Sequence, residues 1–238
     1  MKIAVWHNLN SGGGKRALYN HVKGLVQRGH QVVSFCPDTA DQNYLPLSSI
    51  IEERIYPLKE KLRRRIKTIK YLNSYSHIKE KLSALYEHSR ECAADINNGG
   101  FDILFANSNV IFFMPHIGRY VSIPKAVYLG EPYRPIYEAY PEFLWKAPEW
   151  SPFSPAKYLA KRLIHVYKMN YYSLLAREEL KSAKSYNTIL VNSVYSRESV
   201  MRAYRLDAKV CYLGIDTSLF KKIETPKEQF ILGVGAFV

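Results

Sequence analysis

Cysteine is scarce: Cys36, Cys92 and Cys211 are the three in 238 residues, odd in number and far apart. That spacing excludes a disulfide framework and the paired ligands of a zinc module. No metal is therefore expected, and a reducing, cytoplasmic compartment is. No run of residues approaches the roughly 18 apolar positions of a membrane-spanning helix. After Met1-Lys2 there is no apolar leader core with a small-residue cleavage site, so a secretory signal is not expected. Acidic residues are also in deficit, 21 Asp and Glu against 34 Lys and Arg, for a net charge of +13. Such an excess predicts an acidic partner: a phosphorylated small molecule, an anionic lipid surface or nucleic acid. Internal repeats and low-complexity tracts are lacking as well.

What is present is the material of a folded globule, 47% hydrophobic residues with three tryptophans. The length suits one large domain, or one domain and part of another. Apolar runs at 2–6 and 31–36 flank a helical pattern at 15–27, whose stripe is Ala17, Leu18, Val22, Leu25 and Val26, with Gly29 as its cap. Strand, helix and strand within some thirty residues make a βαβ unit. Further strands are predicted at 101–107, 125–129, 188–191 and 209–213. Helices are predicted at 110–121, 156–183 and 195–204, and residues 38–51 read as an irregular excursion. The alternation predicts an α/β fold: an open, mostly parallel sheet with helices on both faces.

Between the first strand and its helix stand Ser11-Gly12-Gly13-Gly14. Three glycines leave the backbone free to take positive φ and let another molecule approach the main chain. The helix start behind them favours an anion. A flexible turn is the plain alternative. A phosphate-binding P-loop is excluded, because Lys15 is followed by Arg16. The dinucleotide fingerprint is nearly met by Gly12, Gly14 and Ala17 with Asp38 further on, but four residues separate the strand from the first glycine.

Residues 59–81 carry nine Lys or Arg against two Glu, with an apolar stripe at Leu62, Ile66, Ile69 and Leu72. This basic amphipathic helix either solvates its charges or meets anionic headgroups through Arg63, Arg64, Arg65, Lys67 and Lys70. RNA is the third choice, since no RNA-binding motif is present. Four prolines among residues 141–155 make a loop carrying Trp145 and Trp150. Ligands in open parallel sheets bind at the strands' carboxyl ends. The predicted strand ends gather Gly12, Gly13 and Gly14, then Asn107, Ser108 and Asn109, then Gly130, Glu131 and Arg134, then Asn192 and Ser193.

Four segments together resemble the N-terminal half of a family 4 glycosyltransferase, the retaining, nucleotide-sugar-dependent group with the GT-B fold. They are the opening strand with Gly12-Gly13-Gly14-Lys15-Arg16, and Gly130-Glu131-Pro132-Tyr133-Arg134 with Tyr137-Glu138. The third is Val191-Asn192-Ser193-Val194-Tyr195-Ser196-Arg197. The fourth is Tyr212-Leu213-Gly214-Ile215-Asp216-Thr217-Ser218-Leu219-Phe220. Val234-Gly235-Ala236 resembles the first strand of that family's second domain. The resemblance implies an acceptor-side Rossmann-like domain at 1–222. Residues 223–238 would be a linker and the first strand of a donor-binding domain.

It further implies a nucleotide-sugar donor, a glycan or lipid-linked acceptor and no metal. The donor- and acceptor-facing residues would be Gly12, Gly13, Gly14, Asn107, Ser108, Gly130, Glu131, Arg134, Asn192, Ser193, Arg197, Gly214 and Asp216. No catalytic residue is assigned; Glu131 and Arg134 are the cleft-lining candidates. Many members carry a histidine where this chain has Gly130. On this expectation the 238 residues alone do not transfer sugar. The alternative is a non-catalytic Rossmann-like module that binds a phosphorylated ligand or nucleic acid.

Overall fold

β1 (Lys2–Asn8) is buried from Ile3 through Asn8 because both of its edges and both of its faces are covered. A computed structural model describes residues 1–59, 70–109, 112–138, 145–150, 152–218, 220, 221, 229 and 231, with side chains for all of these except 70–76 and 135. Around β1 stand β2 (Gln31–Cys36), β3 (Glu52–Ile55), β4 (Ile103–Asn109), β5 (Lys125–Leu129), β6 (Thr188–Val191) and β7 (Lys209–Val210). They form one sheet in the order β3-β2-β1-β4-β5-β6-β7, and every neighbouring pair is parallel.

The period of two along each strand sorts its side chains between the faces. Ile3 and Val5 join Val32 and take Leu18 and Val22 of α1 (Gly13–Gln27). Ala4 and Trp6 turn the other way and join Phe35, Leu104, Ala106, Val127, Leu129 and Val191 in the larger core. That face is covered by α2 (Lys70–Asn98), the C-terminal half of α4 (Pro155–Ala183) and α5 (Val194–Tyr204). A short α3 (Arg134–Tyr137) follows β5.

Several polar groups in this core are matched. Trp6 Nε1 donates to His88 Nε2 at 3.1 Å, and His88 Nδ1 lies 2.9 Å from the Tyr56 carbonyl. The carbonyl only accepts, so Nδ1 carries the proton and Nε2 the lone pair. Arg119 Nη1 and Tyr86 Oη donate to Glu178 at 2.7 and 2.5 Å, tying α2 to α4. Burial pushes the Glu178 carboxyl up, but those two bonds and the Arg119 charge outweigh it and hold the pKa at about 2. Its neighbour Glu179 accepts from Tyr204 Oη at 2.7 Å and from the Met114 amide. For Glu179 burial prevails, and the carboxyl is pushed up to about 7.

Several sequence expectations need correction. Of the helix expected over 110–121, residues 110 and 111 lie outside the described residues; Phe112–Pro115 are irregular and only His116–Arg119 form a 3-10 turn. Pro115 denies the backbone a donor, and a Cβ on Gly118 would lie 2.6 Å from the Tyr186 ring, so the chain is packed too tightly there for a regular helix. β3 was not expected, and β7 stops at Val210 rather than 213. Basic residues Arg63, Arg64, Arg65 and Lys67 lie outside the described residues. Lys70 opens α2, with its side chain outside them too. The linker and final strand expected over 223–238 are likewise outside, apart from residues 229 and 231.

Candidate functional site

From β1 the chain runs outward through β2 to β3, then returns to place β4 on the other side of β1. Connections leaving β1 and β4 therefore diverge and open a crevice at their carboxyl ends, the place where such sheets bind ligands. Two asparagines floor it. Asn8 and Asn109 are register partners, and Asn8 Nδ2 donates to Asn109 Oδ1 at 2.9 Å with both residues buried. Thr39 Oγ1 donates to Asn8 Oδ1 at 3.1 Å, and the buried Asn107 Nδ2 has no hydrogen-bond partner among the described residues.

The glycine loop forms one wall. β1 runs to Asn8, two residues beyond its predicted end, and α1 begins inside the glycine triplet. Gly12 has φ 137° and ψ −165°, a region essentially restricted to glycine. Gly13 and Gly14 are exposed without positive φ, and a Cβ would meet nothing within 4 Å at Gly13 and only Leu9, at 3.5 Å, at Gly14. Nothing in the chain's own packing requires glycine at 13. The amides of Gly13, Gly14 and Lys15 lack an i−4 carbonyl by helix geometry. No side chain caps them, and the first turn holds no acidic residue. Gly13 and Gly14, with the positive end of the helix dipole, are exposed beside the crevice, whereas Lys15 is buried. The loop is fixed from the other side. Asp41 donates its amide to the Leu9 carbonyl at 2.9 Å, and Arg16 donates to Tyr44 Oη at 2.8 Å.

The loops after β5 and β6 lie about 10 and 15 Å further along the strand ends at the usual strand spacing. Glu131 and Arg134 meet each other in an ion pair at 2.7 Å, with Glu138 at 3.7 Å from the same guanidinium. Glu138 accepts from Tyr195 Oη at 3.1 Å, which joins the β5 loop to α5. Arg134, Glu138 and Tyr195, together with Pro132, Tyr137, Ser199 and Arg202, line a cavity of about 320 Å³, which Glu131 does not line.

Asn192 and Ser193 serve α5. Ser193 Oγ accepts from the Ser196 amide at 3.1 Å as the N-cap, and Asn192 Oδ1 accepts from Ser196 Oγ at 2.8 Å. Arg197 turns to Asp207 at 2.8 Å, a pairing that commits its charge within the α5–β7 connection. Gly214 and Asp216 sit in an exposed segment after β7, where Asp216 accepts from the Ser218 amide at 2.9 Å. The fold thus brings the residues at 12–14, 107–109, 130–134 and 192–193 to one edge of the sheet.

Beneath the glycine loop lies a cluster that sequence spacing gave no sign of. His7, Cys36 and Glu53 come from β1, β2 and β3, and Lys15 enters from the first turn of α1. The residues other than Glu53 are fully buried, and the Glu53 side chain nearly so. His7 Nε2 lies 3.2 Å from Glu53 Oε1, which also accepts from Ser34 Oγ at 3.2 Å. Burial lowers the pKa of His7 and of Lys15. Burial, aided by the Glu53 charge, pushes the Cys36 thiol up to about 12. Burial also opposes ionisation of Glu53, but the His7 bond and the charges of His7 and Lys15 outweigh it and leave its pKa lowered.

The sequence model of Glycosyltransferase Family 4 matches residues 11–219. The chain belongs to that family. No curated protein matches the chain in sequence. Among solved structures, Anabaena Alr3699/HepE in complex with UDP and glucose superposes with a TM-score of 0.51 at 15% identity, over 94% of this chain and 47% of that one. The same protein in complex with UDP gives 0.50 at 15% identity, over 92% and 46%. At that identity the likeness is one of fold: this glycosyltransferase family 4 chain has the Rossmann-like architecture of a GT-B glycosyltransferase. The chain spans about half the length of the solved structures it matches.

Proposed function

We propose that this chain is the acceptor-side half of a retaining, nucleotide-sugar-dependent hexosyltransferase whose acceptor is a glycan or a lipid-linked sugar, working at the cytoplasmic face of a membrane. The uncapped start of α1 at the glycine loop, beside the crevice, carries this reading. Transfer from a nucleotide-sugar releases a nucleoside diphosphate, and the amides of Gly13, Gly14 and Lys15 are suited to that negative charge. The glycines keep the loop low enough for an acceptor hydroxyl to approach the same point. Family membership supports glycosyl transfer, and the UDP held by the similar solved structure suits such a donor. The transfer is read as metal-independent. Glu131 and Arg134, paired to each other, are read as lining the acceptor side, with no step of the reaction assigned to them.

The lipid part rests on α4. Leu159, Leu163 and Val166 lie at i, i+4 and i+7 on one stripe and are about half exposed. Lys157, Lys161 and Lys168 lie on the opposite stripe, and exposed Trp150 and Phe153 precede the helix. Among the described residues no helix is long and apolar enough to cross a membrane. An apolar stripe with basic residues and aromatics suits a helix lying in the headgroup layer of anionic lipid.

Flotation with neutral and anionic liposomes tests this. The chain should float with anionic vesicles, and Leu163→Glu should abolish it. Binding indifferent to lipid charge would remove the membrane from the proposal. Sugar transfer by the 238 residues alone would overturn the half-site reading. Retention on RNA with a steep salt dependence would favour the non-catalytic module instead.

A further inference from the structure

The buried cluster under the glycine loop leaves three polar atoms without a hydrogen-bond partner among the described residues: His7 Nδ1, Glu53 Oε2 and Lys15 Nζ. Burying a polar atom unpaired is unfavourable, so three in one place point to an occupant. Two of the three are lone-pair donors. His7 Nε2 faces a carboxylate oxygen, which accepts, so the proton belongs on Nε2 and the lone pair on Nδ1. Cys36 Sγ completes the group, touched by Gln42 Nε2 at 3.4 Å. One ligand atom from each of His7, Cys36 and Glu53 lies within 4.8 Å of the other two. An equilateral triangle of that side has its centre about 2.8 Å from each corner, so a contraction of about 0.5–0.8 Å reaches zinc bond lengths of about 2.0–2.3 Å.

We propose that His7, Cys36 and Glu53 form a structural site for a zinc-type divalent cation, clamping the carboxyl ends of β1, β2 and β3 beneath the glycine loop. The mixed nitrogen, sulfur and oxygen set selects zinc or a similar borderline cation over magnesium or calcium, which take oxygen alone. As the sulfur–metal bond forms, the Cys36 S–H bond breaks and its proton leaves to solvent. Thiolate and carboxylate then balance the two charges of the ion. Lys15, no ligand itself, stands behind the site and donates to the thiolate or to the second oxygen of Glu53, an outer-shell role. A water-filled site is the competing occupant, and it has no use for Cys36. The clamp is distinct from the transfer chemistry and stands or falls independently of it.

Cobalt is the probe, because its thiolate complexes absorb in the near ultraviolet. The untagged chain carrying Cys211→Ser, which removes the exposed thiol, should take up one equivalent of Co²⁺ with a thiolate charge-transfer band. It should also retain one equivalent of Zn²⁺ after dialysis. Cys36→Ser should abolish the band. His7→Gln should weaken binding by more than the 10–100-fold typical of losing an outer-shell partner. Lys15→Met removes an outer-shell donor and should weaken binding by no more than about 10–100-fold with the thiolate band retained, which separates loss of a ligand from loss of the fold. Absence of stoichiometric binding to the folded chain would overturn the proposal, as would a band that persists in Cys36→Ser.

Discussion

Replacing Gly12 with alanine puts a Cβ on a residue at φ 137° and ψ −165°. No neighbour lies within 4 Å of that Cβ, so the penalty is conformational alone. Forcing a non-glycine residue into such a region costs about 1–3 kcal/mol. At about 2–4 °C per kcal/mol for a chain of this size, Gly12→Ala should lower Tm by about 2–12 °C. Gly13→Ala is the opposite case. Position 13 is helical with open space around it, and alanine there should stabilise by about 0.4–1 kcal/mol, raising Tm by about 1–4 °C. Yet its methyl group would stand where the proposed diphosphate approaches, so affinity for pyrophosphate or UDP should fall about tenfold, near 1.4 kcal/mol. Thermal unfolding by circular dichroism and titration calorimetry on the same samples read both quantities. Unchanged stability of Gly12→Ala would refute the backbone geometry. A stabilised Gly13→Ala that binds pyrophosphate as before would refute the idea that this glycine is kept for a ligand.

Glu179 should impose its own pH dependence. Its carboxyl rises from 4.5 to about 7 on folding. Between those values the folded state holds the extra proton, so the Glu179 contribution falls as pH rises from about 4.5 to 7, by up to about 3 kcal/mol. Glu179→Gln removes this, so its urea midpoint relative to the parent chain should climb over that interval; a constant offset would contradict the shift. Ser193→Ala deletes the N-cap of α5 and should cost about 1 kcal/mol, whereas Ser193→Asp should recover most of it. Equal losses in both would mean that the cap is not what Ser193 contributes.

Much of the fold was readable because its signals are local. The apolar run of β1, the positive-φ Gly29 behind α1 and the long pattern ending at Ala183 each sit within a few turns of chain. β3 was missed for a reason visible in its composition. Glu52, Glu53 and Arg54 look like a solvated turn, yet Glu53 points inward because His7 and Ser34 receive it. Residues 110–121 carried apolar spacing that suited a helix, and only the close approach of Tyr186 to Gly118 shows why none forms over the described residues 112–121. In the crevice, the strand-end loops could be read in sequence, but their internal commitments could not. Arg197 is as basic in sequence as Arg134, and only the fold reveals that Asp207 holds it. The burial of Lys15 follows from strands far away in the chain.

α1 begins with neither a capping side chain nor an acid in its first turn; an aspartate or serine is the usual N-cap, and the glycine-only backbone at position 12 admits neither without strain. Such a residue would occupy the same amides that an incoming anion needs. The helix and the ligand therefore share one vacancy, and an anion seated there acts as a removable cap. Binding and local folding become a single equilibrium. The first turn should exchange its amide hydrogens quickly in the empty chain and slowly once pyrophosphate is present. The most loosely held turn of α1 would then be the part of the molecule that senses the donor.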